Sequence, residues 1–329
     1  KPHVLVPEFL RILWASKASP YALAGHVGYL PAAARVASIA EREGYERIHG
    51  AWAHFPATVA YLATRLTGKR FSMAGHAGGD LYRMQEFLPQ KARAADFMTC
   101  CVRGNAEMVK KLVPGARVHW LYHGTDLSRF GSIVRARAAE PTLLIVGRLA
   151  KTKGFDDLFK AMGVLKRRGV TPKLVVVGEG PERATLEAIA REGGVMDQIE
   201  WCGSLTHDQL APRYAAAWVL VAPSVVLSNG RMDGIPNVVV EAMAAGLPVV
   251  GTRAAGLEEI VVPGRTGALA NQRDPEDLAD AIAPLVKDPA EVDRMSAIAR
   301  TEVREAFDVE RNFEKLWALF TGTAEGSRP

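Results

Sequence analysis

Arg148 and Lys153 flank the segment Gly147-Arg-Leu-Ala-Lys-Thr-Lys-Gly154. Arginine offers a planar fork able to take two phosphate oxygens and lysine a movable point charge, so the pair suits a pyrophosphate. A second stretch, Asp233-Gly-Ile-Pro-Asn-Val-Val-Val-Glu241-Ala-Met-Ala-Ala-Gly246, has the same preference for anions. Pro236 fits the first helical position and Gly246 the left-handed residue that ends a helix, so the spacing predicts a short helix over 237–245. The first turn of such a helix presents N–H groups without intrahelical partners and about half a positive charge, a ready phosphate site. Asp233 lies in the loop before the helix and Glu241 about a turn and a half inside it, so two carboxylates can flank one extended ligand. Glu241 is also set in an apolar run, where a charge calls for a partner or a ligand.

These residues need a scaffold, and the chain supplies an alternation of strands and helices. In the first half, helix-period segments at about 31–42, 56–66, 83–95 and 105–112 alternate with strand-like segments at 47–52, 70–75, 97–102 and 117–122. In the second half, strands at 142–147, 173–178, 199–202 and 218–222 alternate with helices, among them one at about 207–217; further helices are expected at 275–287 and 291–306. Such alternation implies parallel sheets with helices on both faces, and ligands bound beyond the carboxyl ends of the strands. Residues 131–141 have no apolar period and read as a linker. The expected organisation is a first domain over 1–135, a second over 136–308, and a last helical segment, 309–329, crossing back to the first. The first twenty residues show no strand followed by a Gly-rich turn, so the first domain reads as incomplete at its amino end.

With 329 residues, 48% of them hydrophobic, the chain has material for two cores. Cys100, Cys101 and Cys202 offer neither a disulfide framework nor metal-ligand spacing, which points to a reducing compartment. Residues 1–135 carry 18 Lys and Arg against 9 Asp and Glu, a net of +9, whereas 136–329 carry 23 against 27, a net of −4. A basic first half suits an anionic surface, and it lacks the clustered basic tracts with interleaved aromatics of a nucleic-acid binder. A solvated charged surface accounts for it equally well.

The run from Asp233 to Gly246 resembles the nucleotide-sugar signature of the retaining glycosyltransferases of family 4, in which two acids are separated by seven residues. Gly147-Arg-Leu followed by Lys153-Gly154 resembles the second signature of the same family. The first acid of that family is most often Glu, and Asp233-Gly-Ile-Pro is similar to the branch that builds bacterial exopolysaccharides. The looser likeness runs from about 46 to 290. It implies the GT-B architecture, two Rossmann-like domains facing across a cleft, with the donor held mainly by the second domain and the acceptor by the first.

The resemblance also assigns roles. Gly147, Arg148, Lys153 and the start of the helix (Gly234, Ile235, Pro236, Asn237) would hold the diphosphate. Gly178, Glu179 and the backbone of Ser204 and Leu205 would lie near the base, Glu241 would accept hydrogen bonds from the ribose, and Asp233 would bind hydroxyls of the transferred sugar. His76, in Ala74-Gly75-His76-Ala77, would reach that sugar. His54 is left open by the residues alone, and His123 and Asp126 read as turn formers. In this family retention is usually described as front-face attack, with the leaving phosphate taking the acceptor proton.

The resulting expectation is a metal-independent retaining hexosyltransferase without a cofactor, using a UDP- or GDP-sugar and a glycan or lipid-linked acceptor. It would work in the cytoplasm or at the inner face of the plasma membrane, in polysaccharide or glycolipid synthesis. Two alternatives share the architecture: a sugar-nucleotide epimerase or sugar-phosphate synthase, and a non-catalytic donor-binding subunit. No complete dinucleotide fingerprint or P-loop is present, which argues against nicotinamide chemistry and ATP-dependent phosphoryl transfer.

Overall fold

Residues 1–42 fold into three helices, α1 (Pro2–Ser16), α2 (Pro20–Gly28) and α3 (Leu30–Arg42), each with proline in its first turn, where the missing N–H is harmless. A helix thus occupies the segment in which the sequence shows no strand. The computed structural model describes residues 1–17, 19–82, 85–254 and 256–323. By their contacts these residues divide into two compact units.

The first unit comprises Lys1–Tyr122, Asn229–Gly234 and the chain from Lys315 onward. Its sheet holds β1 (Arg47–Gly50), β2 (Arg70–Gly75), β3 (Phe97–Cys100) and β4 (Val118–Trp120), all parallel and in sequence order. Helices α4 (Phe55–Thr67), α5 (Leu88–Ala94) and α6 (Arg103–Leu112) connect them. The helix expected over 83–95 is shorter than its apolar period suggested; Arg83 and Met84 lie outside the described residues. Ile12, Leu62, Met73, Phe87 and Met98 are among the side chains that fill the core.

The second unit comprises His123–Ser228 and Ile235–Glu314. Its six parallel strands are β5 (Thr142–Val146), β6 (Lys173–Val177), β7 (Ile199–Gly203), β8 (Val219–Ala222), β9 (Val249–Thr252) and β10 (Gly267–Ala270). Their order is β10-β9-β8-β5-β6-β7. Strands buried on both faces read as unbroken apolar runs, as Leu143-Leu-Ile-Val146 and Val219-Leu-Val-Ala222 do. The helices are α7 (Ser128–Gly131), α8 (Phe155–Arg167), α9 (Arg183–Glu192), α10 (His207–Ala216), α11 (Asn237–Ala244), α12 (Pro275–Lys287), α13 (Pro289–Phe307) and α14 (Val309–Thr321). Phe155, Leu158, Phe159, Met162 and Leu165, at helical spacing along one face of α8, are buried in this core.

Three particulars differ from the sequence reading. β10 begins at Gly267, in a stretch for which the sequence reading set no strand. Residues 123–135, taken with the first domain, group with the second unit: Thr125 bridges Asp308, Arg304 donates to the Gly131 carbonyl, and the Phe130 ring packs edge-on to Tyr214. The last helix divides, with Lys315 onward grouping with the first unit, where the Phe320 ring meets Phe97 at 5.2 Å and His49 at 5.3 Å.

Candidate functional site

In the second unit the chain leaves β5 toward β6 and β7, then returns to place β8 on the other side of β5. The carboxyl ends of β5 and β8 therefore bracket a switch point, where parallel α/β sheets receive ligands. The turn after β5 carries Arg148 and Lys153; the turn after β8 leads to α11.

Close backbone contacts fix these turns. A Cβ built on Gly154 would sit 1.8 Å from the Pro223 carbonyl oxygen, and Gly154 itself is left-handed at φ 64°, so only glycine fits there. Val225 N–H donates to the Thr152 carbonyl at 3.0 Å, a second tie between the turn after β5 and the segment after β8. Arg148 is exposed. The stem of Lys153 folds back, its Cε 3.6 Å from where a Gly147 Cβ would stand, and so returns to the turn that carries Arg148.

Gly178 closes against the same turn. Its built Cβ would lie 1.9 Å from the Gly147 carbonyl oxygen, and the Leu149 N–H donates to the Glu179 carbonyl at 2.9 Å. Gly178 N–H in turn donates to Gly203 at 2.7 Å, and Glu179 Oε1 lies over Gly203. Ser204 and Leu205 follow directly, ahead of the Thr206/Gln209 capping box that starts α10. The turns after β5, β6 and β7 thus form one contiguous rim holding Gly147, Arg148, Gly178, Glu179, Ser204 and Leu205.

Helix α11 begins at Asn237 with buried Pro236 as its N-cap rather than its first residue; ψ of 132° keeps Pro236 extended. No side chain caps that end. At the other end Gly246 takes the left-handed conformation expected of it, and Arg300 donates to the Ala245 carbonyl at 2.8 Å. Glu241 is buried, and its Oε2 accepts the Tyr214 hydroxyl at 3.0 Å. Burial raises the Glu241 carboxyl above its ordinary value, while the Tyr214 hydrogen bond and His207 pull it back; burial and the carboxylate also push the Tyr214 phenol up. The partner that the apolar run demanded is therefore a tyrosine on α10, which the sequence reading did not single out.

Asp233 and Gly234 behave otherwise. They belong to Asn229–Gly234, the excursion that groups with the first unit, whereas Ile235 onward groups with the second. Within the first unit a Cβ on Gly78 would meet the Gly230 carbonyl oxygen at 2.4 Å, and one on Gly234 would touch Ala77, Val102 and Cys101. The segment bearing Asp233 thus docks on the turn that follows β2, and that turn begins with His76.

His76 stands at the carboxyl end of β2. Its Nε2 lies 2.6 Å from the Ala51 carbonyl oxygen, which can only accept, so Nε2 carries a proton. The Trp52 ring lies against it, centroids 4.1 Å apart. His54 turns inward: its N–H and ring Nδ1 reach Asp80 Oδ1 at 2.8 and 3.0 Å. Asp126 accepts from the Ser128 N–H and hydroxyl, a turn former as read. Asp80, buried between His54 and His76, was not singled out by the sequence reading.

A family model described as "Glycosyl transferases group 1" matches residues 132–302, the greater part of the second unit. The chain belongs to the group 1 glycosyl transferases. The signatures at 147–154 and 233–246 pointed to this family, and both lie inside the matched span. Among curated members, the GDP-mannose-dependent alpha-(1-6)-phosphatidylinositol monomannoside mannosyltransferase of Mycobacterium tuberculosis is 33% identical over 197 residues, 57% of this chain and 51% of that protein. The amylovoran biosynthesis glycosyltransferase AmsK of Erwinia amylovora is 27% identical over 204 residues, 62% of this chain and 50% of that one. These matches span about half the length of the curated relatives. Anabaena HepE, solved in complex with UDP, superposes with a TM-score of 0.73 at 18% identity, covering 88% of this chain and 82% of that one. The fold is that of the two-Rossmann-domain glycosyltransferases. Among the described residues no helix is long and apolar enough to cross a membrane.

Proposed function

We propose that this group 1 glycosyl transferase moves a hexose-type sugar, with retention, from a UDP- or GDP-sugar to a glycan or lipid-linked acceptor in polysaccharide or glycolipid synthesis. The observation that carries the reading is the pairing of turns at the switch point: the turn after β5 that bears the two cations is tied to residues 223–225, just after β8, by Gly154 on Pro223 and by Val225 to Thr152. Two cations and an uncapped helix start at neighbouring strand ends suit a diphosphate. The mannosyltransferase relative's GDP-mannose and the UDP of HepE support this donor class.

In the proposed reaction the bond between the sugar's anomeric carbon and the β-phosphate oxygen breaks, and the acceptor oxygen bonds to that carbon on the same face. The acceptor's proton passes to the departing phosphate, so no carboxylate need act as nucleophile. Negative charge grows on the phosphate oxygens, and fixed positive groups aimed there favour the transition state over the ground state. Arg148, Lys153 and the N–H groups of Asn237 and its neighbours supply that charge without a divalent metal, so turnover should persist in a chelator. Glu241, polarised by Tyr214, would receive the ribose, the rim of Gly178, Glu179, Ser204 and Leu205 the base, and Asp233 and His76 the transferred sugar.

The acceptor reading draws on the first unit. On α1, Val6, Leu10 and Trp14 recur every four residues and are 56%, 57% and 70% exposed, with Lys17 within 5.5 Å of the Trp14 ring. An apolar stripe with a tryptophan and flanking cations fits an anionic bilayer surface, where a lipid-linked acceptor would be met. Thermal-shift titration with UDP- and GDP-sugars tests the donor: one nucleotide class should raise the melting temperature by mass action, and the absence of any shift at millimolar ligand would remove the proposal.

A further inference from the structure

Against the turn that holds the His76 ring lies a lysine that the proposed reaction does not use. Lys91 on α5 is fully buried, and its ammonium donates to the carbonyls of Ala53 at 2.5 Å and His54 at 2.9 Å and to Thr58 Oγ1 at 3.2 Å. Three acceptors for three hydrogens is the full valence of an ammonium. Isolated charges are not left in protein interiors without such compensation, because desolvation is costly. What the ammonium grips is the turn between β1 and α4, residues 51–54. The same turn supplies the carbonyl that accepts from His76 Nε2 and the indole that lies on its ring.

Asp80 completes the frame. Its Oδ2 accepts the His76 N–H at 2.8 Å, and its Oδ1 accepts the His54 N–H and ring Nδ1. One carboxylate thus fixes the backbone of His76, while one ammonium fixes the turn that orients its ring. We propose that Lys91 and Asp80 are positioning residues that lock His76 in the Nε2–H tautomer with Nδ1 as the acceptor nitrogen. The inference deepens the reading in which His76 meets the transferred sugar, since a ring of fixed tautomer presents the same atom to every substrate. A staple that merely holds α5 against α4 would not depend on which ring nitrogen of His76 carries the proton.

The test is long-range ¹H–¹⁵N correlation spectroscopy of the intact chain with labelled histidine, read at His76. The wild type should show a single Nε2–H tautomer. Lys91→Met, which keeps the bulk and removes the donors, should move the two ring nitrogens toward a common average, and Asp80→Asn should do so less. UDP titration by calorimetry on the same samples monitors the second unit, where the effect should stay within about twofold, as for distant sites. An unchanged Nε2–H signature in a folded Lys91→Met variant overturns the proposal. Loss of UDP binding in the wild type would count instead against the donor reading and leave the tautomer result standing.

Should Lys91→Met fail to fold, Asp80→Asn carries the test alone: an unchanged Nε2–H signature at His76 in that folded variant overturns the proposal.

Discussion

The two candidate binding regions, one in each unit, are built by opposite means. In the second unit the turns after β5, β6 and β7 are fitted together by backbone: Gly178 against Gly147, Gly154 against Pro223, and N–H to carbonyl pairs between successive turns. Charged side chains are then presented outward from a rigid rim. In the first unit His76 is held by side chains drawn from far along the chain, Asp80 joining it to His54 and Lys91 reaching back 37 residues to the His54 carbonyl. The fold of a backbone-built site tolerates exchange of its side chains but not of its glycines. A side-chain network tolerates neither loss of a charge nor, at its buried members, a change of pH.

Removing one exposed cation from the backbone-built half should cut deepest into turnover without touching the fold. Arg148→Ala should lower the transfer rate by about 10²–10³, the usual worth of one transition-state contact, with the urea midpoint unchanged. The glycines should behave in the reverse way. Gly154→Ala forces a left-handed alanine and a clash with the Pro223 carbonyl, each worth about 1–3 kcal/mol, so urea denaturation should show a loss near the sum. Gly169 is also left-handed, but an added Cβ meets nothing within 4 Å, so Gly169→Ala should lose only the conformational share, about 1 kcal/mol. Equal losses at 154 and 169 would show that the turns are not locked by contact.

Titration separates the halves again. The Glu241 carboxyl is raised in the fold by burial, so the folded state is favoured most below the ordinary value of 4.5, and that favour is lost as pH rises through the raised value. Glu241→Gln should therefore melt higher than wild type at pH 7, converge with it below about pH 4.5, and bind nucleotide less well. His26, buried and hydrogen-bonded to Thr58, is held down to about 3 by burial and by Lys91, so its contribution is present above pH 6.5 and lost on acidification. His26→Phe should accordingly flatten the acid limb of the first unit's stability, followed by near-ultraviolet circular dichroism. The smallest effect belongs to α1: Trp14→Ala should weaken sedimentation with anionic vesicles by a few-fold, about 1 kcal/mol, and leave nucleotide binding alone.

The contrast also explains what the sequence disclosed. Gly147, Gly154, Gly178 and Gly246 stand where a residue without a side chain is needed, and such demands are written locally; Gly147 and Gly154 adjoin Arg148 and Lys153 themselves. Strand and helix alternation was legible for the same reason. The partnership of Asp80, Lys91 and His54 was not, because it depends on residues 26 and 37 positions apart meeting in space. A weak signal existed: Lys91 falls at helical spacing from Leu88 and Ala95, which places a cation on the buried face of α5. Tyr214 was hidden likewise, since nothing near it in the chain announces Glu241 as its partner. The grouping of Asp233 with the turn after β2 needed the tight approach of Gly78 to Gly230 and Met232, a contact across more than 150 residues.

The measurement closest to the centre is calorimetric titration of UDP and GDP into the wild type, Arg148→Ala, Lys153→Ala and His76→Ala. If a diphosphate is gripped where β5 and β8 end, one nucleotide binds the wild type, binding falls by at least about tenfold in each cation variant, and His76→Ala binds as the wild type does. Undiminished binding in Arg148→Ala and Lys153→Ala would contradict it.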